Sequence, residues 1–389
     1  MTKWQKVKLG DVCEISSGGT PSRANYAYWQ KGTIPWVKIS DMNGRYIDKT
    51  EEMITQQGVD NSSAKLYKKG TLLYSIFASI GEVGILNIDA TCNQAIAGLE
   101  PKYNICKNYV YYVLKALKHL VRKKGRGVAQ NNINLSILKN IEIPLPPKDE
   151  QERIAKELDA VSDLLAKQKQ LLTEQDTLIK ATFYDMFGDT VTNDKGWTIE
   201  KLEKLGTCKN GINFNKEEQG IRCYLLNVGD FQNHSVLDKT TYFSEVVLKK
   251  MPDDDYFLKS GDIVFVRSNG NKNLVGRCVA IYPQDNKVLY SGFCIRFRIK
   301  QDDITTKYLL YYFKDDNIRK LLVGRGANIQ NLNQKVLHQL NIPVPPLSLQ
   351  QKFADIVEQI EAQKQKIKSA ITETETLFNA LMAKYFDEE

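Results

Sequence analysis

Asn, Gln, Arg and Lys are the side chains that make bidentate contacts to adenine and guanine edges. In this chain they gather in three short, Gly-containing stretches. The first holds Lys38, Ser40, Asp41, Asn43 and Arg45, the second Asn227, Asp230 and Gln232, and the third Arg267, Ser268, Asn269, Asn271 and Lys272. Each follows a β-rich run, so each is expected to be a loop at a strand end, with glycine allowing close backbone approach to a duplex. Two basic Gly-rich segments, one with Lys123, Lys124 and Arg126 and one with Arg325, suit phosphate contacts. Such contacts position a protein without specifying sequence. Any one of these residues could equally sit in an ordinary solvated turn; as a set they point to double-stranded DNA.

Other chemistries lack their residues. There is no G-x-x-x-x-G-K-[ST] loop, no strand-linked G-x-G-x-x-G and no H-E-x-x-H. The three histidines (119, 234, 338) stand in unrelated contexts, and the Asp253-Asp254-Asp255 run reads as a solvated turn. Seven scattered cysteines, never spaced C-x-x-C, form neither a disulfide framework nor a zinc site. Residues 1–10 do not resemble a signal peptide, and no stretch approaches the roughly 20 apolar residues of a membrane helix. The expectation is a cytoplasmic protein with no catalytic constellation, no metal and no cofactor of its own.

The elements that must position these loops occur twice. GRGVAQNNINLSILKNIEIPLPP (125–147) returns as GRGANIQNLNQKVLHQLNIPVPP (324–346), each copy followed by a Gln and a long charged stretch. The period is far longer than the roughly 20 to 50 residues of a solenoid, so a domain plus a helix has been duplicated. The similar segments should share a job, and the divergent blocks ahead of them should differ in theirs. In the first block, strands are expected at 36–39, 71–74 and 84–86 and a helix at 110–120. In the second, strands are expected at 224–228, 262–266 and 276–281, with a helix opening at 308.

Residues 149–187 contain no Pro or Gly, and Gly188 supplies a stop. Ile154, Leu158, Val161, Leu165, Leu172 and Ile179 fall on one heptad seam, interrupted by Gln168 and Gln175. The second seam carries Phe353, Val357, Ile360, Ile367, Ile371 and Phe378, interrupted by Lys364 and Thr374. Seams this narrow are not stable alone, so the two helices should pair antiparallel, a coiled coil between two chains being the alternative. A helix of this size would be about 58 Å long, more than one turn of DNA at about 34 Å. Prolines 144, 146 and 147, and 343, 345 and 346, make each entry stiff.

Net charge divides along the same lines: +10 for residues 1–148, −5 for 149–189, +6 for 190–346 and −3 for 347–389. Basic globular blocks fit a polyanion, since each neutralised phosphate releases counterions. The expected fold is α+β: two β-rich recognition domains (1–148 and 190–346), separated by two long helices (149–189 and 347–389) forming an antiparallel coiled coil with a pseudo-two-fold internal repeat.

Over essentially its whole length the chain resembles the specificity (S) subunits of type I restriction–modification systems. The resemblance is carried by SGGTPSR (17–23), IPWVKISDM (34–42), GTLLYSIFASIGEVGI (70–85), NQAIAGLEP (93–101) and the duplicated I-P-x-P-P segments with Gln151 and Gln350. The second block departs from it, having SNGNKNLVGR (268–277) and Asn210-Gly211-Ile212-Asn213-Phe214 where the first has S-I-G-x-V-G and G-T-P. The resemblance implies two target recognition domains reading the halves of a split site, with the helices as spacer. It also implies two modification subunits that methylate adenine from S-adenosylmethionine, and motor-nuclease restriction subunits driven by ATP. An enzyme carrying its own recognition domains would need an N/D-P-P-Y/F motif, which is absent. A peptide-binding scaffold would not need basic blocks.

Overall fold

A computed structural model describes residues 4–77, 79–124, 133–213, 220–231, 234–239, 242–323 and 331–386, with the side chains of 119–124 and of Lys272 outside that description. Arg126, Gln232 and Arg325 lie outside the described residues, as do the side chains of Lys123, Lys124 and Lys272. The chain forms two compact units, residues 1–170 with 369–389 and residues 171–368. The division runs through both long helices, not between helix and block.

Each unit is built on the same strand order. In the first, a five-stranded sheet runs Cys13–Ser17, Ile96–Pro101, Leu72–Ser75, Val83–Leu86, Tyr46–Ile47. Beside it a three-stranded sheet runs Glu52–Ile54, Ile34–Val37, Thr91–Cys92. The second unit repeats this as Gly206–Asn210, Cys294–Ile299, Asp262–Val266, Cys278–Ile281, Val236–Leu237 and as Ser244–Leu248, Ile221–Leu226, Val288–Tyr290. The pairings of Ile34–Val37 with Thr91–Cys92 and of Ile221–Leu226 with Val288–Tyr290 are parallel. Leu72–Ser75 and Asp262–Val266 are central and buried along their whole length, which explains the apolar runs at 72–74 and 263–266. A helix follows the last strand of the five-stranded sheet in each unit (Lys107–Lys124, Thr306–Lys314). The architecture is α+β with an internal repeat.

The near-identical segment is a junction. Asn134 and Asn333 cap short helices (Leu135–Lys139, Gln334–His338), accepting from Ile137 N at 2.8 Å and Val336 N at 3.0 Å. Glu142–Pro144 then pairs with Lys6–Lys8, and Asn341–Val344 with Thr198–Lys201. The buried Gln151 amide accepts from Cys106 N at 2.9 Å and donates to Pro146 O at 2.8 Å. Buried Gln350 accepts from Thr305 N at 2.8 Å and donates to Asp303 O at 2.9 Å and Pro345 O at 2.8 Å. Each glutamine therefore ties the start of a long helix to the start of the domain helix. Gln350→Leu orphans one backbone donor and two acceptors. The variant is expected to lose about 2–4 kcal/mol, read as a lowered denaturant midpoint; an unchanged midpoint would remove the clamp.

The long helices span Lys148–Phe187 and Leu347–Phe386. Burial follows the seams: Ile154, Leu158, Ile179, Phe353, Val357 and Ile360 are buried, while Val161, Leu165, Leu172, Ile367, Ile371 and Phe378 are half-buried. Within each unit the two helices run antiparallel. In the first, Glu157 accepts from the Tyr385 hydroxyl at 2.7 Å and Lys169 pairs with Glu375 at 2.8 Å. In the second, Lys364 pairs with Asp176 at 2.7 Å and Phe183 packs on Phe353 with ring centroids 5.4 Å apart. Lys364 also reaches Glu361 at 2.9 Å, so this charged seam position is satisfied. Among the described residues, Gln168 and Gln175 each keep a buried side-chain oxygen without a partner. Such oxygens cost stability, as polar seam positions do when they specify register. Gly188, at φ +79°, ends the first helix, and the Trp197 indole donates to Phe187 O at 2.8 Å.

Candidate nucleic-acid interface

In both units the middle strand of the three-stranded sheet feeds a 3-10 turn, Ile39–Asp41 in one and Val228–Phe231 in the other. Asp41 accepts from Lys38 N at 2.7 Å, and Asp230 from Asn227 N at 2.8 Å. These carboxylates build the turns; burial pushes that of Asp230 up from its ordinary range. Lys38 Nζ lies 2.7 Å from Glu51 and 3.0 Å from Glu52, which raise its pKa. Arg45 turns inward to Asp159 on the first long helix at 2.7 Å, with the Tyr111 and Tyr112 rings 5.1 and 5.6 Å away. Its guanidinium holds the domain on the helix. Ser40 and Asn43 are exposed, with Asn43 Nδ2 donating to Ser40 O at 2.5 Å. Asn227 Nδ2 donates to Ser244 Oγ at 3.1 Å.

The third stretch joins Asp262–Val266 to Cys278–Ile281 in the second unit. Asn269 Oδ1 accepts from Asn271 N at 2.8 Å and Asn271 Oδ1 from Asn273 N at 3.0 Å. The acceptor oxygens thus shape the loop, and the amide nitrogens remain as donors. Arg267 and Ser268 are half-buried, and Ser268 bridges to Asn331.

Backbone bonds bring these loops to one end of the paired sheets. In the second unit Ser291 N donates to Leu226 O at 3.2 Å, Arg267 N to Phe293 O at 2.8 Å and Leu332 N to Arg267 O at 2.8 Å. In the first, Asn93 N donates to Val37 O at 3.0 Å, Ile76 N to Ala95 O at 2.8 Å and Ile133 N to Ile76 O at 2.9 Å. The crossing is the same in both units and its segments are joined by main-chain bonds, which leaves most side chains there free to differ. Gly18 and Gly211 hold matching places in it: a Cβ would lie 2.3 Å from Cys92 O in one and 2.1 Å from Ser291 O in the other. The two unlike motifs, SGGTPSR and Asn210-Gly211-Ile212-Asn213-Phe214, therefore share one structural requirement.

Sequence reasoning missed several exposed side chains at this end: Gln94, which accepts from the Thr20 hydroxyl, Asn213 and Asn331. Their signal was weak, because each lies in a short turn before or after a strand and only the crossing of strands collects them. Asp255 is bound by Lys209 at 2.6 Å, Arg296 at 3.2 Å and Arg298 at 3.7 Å. The Lys209 ammonium, donating to it, is the largest cause holding its carboxyl down at about 2. The carboxylate run is thus partly structural. Among the described residues, no group of three or more His, Cys, Asp or Glu could hold a metal ion, and no helix is long and apolar enough to cross a membrane.

The family model described as "Type I restriction modification DNA specificity domain" matches residues 1–174 and again 194–374. The MjaIX specificity subunit of Methanocaldococcus jannaschii is 25% identical over 379 residues, covering 91% of this chain and 86% of that one. The EcoR124I/EcoR124II specificity subunit of Escherichia coli is 30% identical over 164 residues, 40% of each chain. The same fold occurs in the S subunit from M. genitalium (TM-score 0.55, 16% identity, 100% and 97% coverage). It also occurs in a structure from work on assembly and conformational transition of the type I system (TM-score 0.62, 18% identity, 98% and 97% coverage). A duplicated α+β unit, each copy matched by the same family model and followed by a long helix, places this chain in the family of type I restriction–modification specificity subunits.

Proposed function

We propose that the chain does no chemistry itself and reads a bipartite DNA target, one half with residues 1–148 and the other with residues 190–346. Helices 149–189 and 347–389 set the gap between half-sites and dock two modification subunits, which carry S-adenosylmethionine, and through them the ATP-driven restriction subunits. The carrying observation is the backbone-made crossing that repeats in both units while the side chains at its open end differ. An invariant frame with variable loops is what two readers of different sequences require.

In the first block the reading falls to Ser40, Asn43 and the neighbouring Gln94, with Lys38, Asp41 and Arg45 shaping the loop around them. In the second, Asn227, Arg267, Ser268, Asn269, Asn271 and Lys272 form the candidate region, shaped by Asp230 and continued by Gln232. Lys123, Lys124, Arg126 and Arg325 remain candidates for phosphate contact on the basic character of their segments.

The test is co-expression with the neighbouring methyltransferase subunit, followed by genome-wide mapping of methylated adenines by single-molecule sequencing. A single bipartite motif marked on both strands is expected. A stable complex that methylates without a bipartite motif would overturn the reading.

A further inference from the structure

Phe293 is 58% exposed, although it lies where the loops of the second unit converge. Its main chain is held from three sides. Its carbonyl accepts from Arg267 N at 2.8 Å and Ser268 N at 3.3 Å, and its own N–H donates to Ser291 Oγ at 3.2 Å. At the preceding residue, Gly292, a Cβ would lie 2.1 Å from Asn213 Oδ1, the end of an exposed side chain. Asn213 therefore packs against the turn that carries the ring. The tip is a hydrogen-bonded turn presenting one large apolar surface beside polar side chains.

The corresponding turn of the first unit is built by the same bonds, with Asn93 in place of Ser291: Ala95 N donates to Asn93 Oδ1 at 3.0 Å, and Ala95 O accepts from Ile76 N at 2.8 Å. There the residue in the place of Phe293 is Ala95. The frame therefore does not need an aromatic ring, and a packing role is not what keeps Phe293 here. Among the described residues it belongs to none of the apolar clusters of its unit.

An exposed aromatic ring among hydrogen-bonding side chains at a DNA-reading end has a specific counterpart. In the major groove the one apolar feature on a base edge is the thymine C5 methyl, and Phe is among the residues that contact it. We propose that Phe293 determines specificity in the second half-site by packing on a thymine methyl, while neighbouring amides read the adjacent base edges. This inference rests on the reading of residues 190–346 as a recognition domain.

The test uses the full chain in complex with its modification subunit and duplexes carrying the mapped target, with each thymine of that half-site replaced in turn by deoxyuridine. For the wild-type complex, one replacement is expected to weaken binding about fourfold, the factor for one buried methyl group. Phe293→Ala should bind the thymine and deoxyuridine duplexes equally, relax methylation at that base pair and leave the other half-site unchanged. Because the ring is exposed, its thermal midpoint should match wild type, and Phe293→Leu should restore part of the discrimination. Wild-type indifference to every deoxyuridine, or a half-site without thymine, overturns the inference while leaving the recognition domain intact. So does a Phe293→Ala complex that still discriminates. Duplex kinking lost in Phe293→Ala without any methyl dependence would instead make the ring a wedge between base steps. Absence of any bipartite target for the wild-type complex overturns the underlying reading instead.

Discussion

Exchanging residues 1–148 for the equivalent block of another specificity subunit is expected to change one half of the methylated motif completely and leave the other as it was. The crossing that gathers the loops in each unit uses main-chain bonds such as Asn93 N to Val37 O and Ser291 N to Leu226 O. A foreign block can therefore bring its own loop side chains without disturbing the frame. What it must keep is the surface that meets the helices: Tyr109, whose ring lies 5.6 Å from that of Phe386, and the backbone donor that Gln151 receives. Specific DNA binding commonly exceeds non-specific binding by about 10³-fold or more, so the native half-site should lose discrimination on that scale. Methylome mapping of the chimaera reads both halves at once. If both halves change together, the blocks do not read independently.

Inserting one heptad into each long helix, between Gln170 and Leu171 and between Lys368 and Ser369, is expected to lengthen the gap between half-sites by about three base pairs. Seven residues add about 10.5 Å of helix, against about 3.4 Å per base pair, and the insertion preserves the seam with a drift of only about 20°. Those positions are where the compact units divide. The pairs Lys169–Glu375 and Lys364–Asp176 would stay intact on either side. The native site should be bound and methylated at least tenfold less well, because both half-sites no longer engage together. A heptad in one helix alone should destabilise the protein by shifting the register on one side of the insertion. A methylated motif with its original spacing in the doubly lengthened protein would remove the helices as the ruler.

Much of this was legible locally. The spacing of Ile154, Leu158, Val161 and Leu165 places them on one face of a helix wherever that helix lies, and Gly188 ends it by its own conformational freedom. The runs at 72–74 and 263–266 are apolar because both faces of a central strand are covered. Phe183 and Phe187 extend the seam beyond its reading from sequence: their rings pack on Phe353 and Tyr308, so tertiary contact carries the apolar face to the helix end.

The duplication, the strand and helix classes, the two seams and the alternation of basic and acidic segments can be read along the chain, because periodicity, turn chemistry and charge are properties of neighbours in sequence. What the individual polar residues do follows from the packing of each unit. Arg45 looked like a base reader and is taken by Asp159. Asp41 and Asp230 fold back onto their own turns. Gln151 and Gln350, in the sequence only the Gln repeated behind each copy, are buried clamps. Gly18 and Gly211, in unlike motifs, meet the same steric demand. Whether a polar side chain faces water or a partner depends on which distant segment the fold brings beside it, and that is settled by the packing of the whole unit.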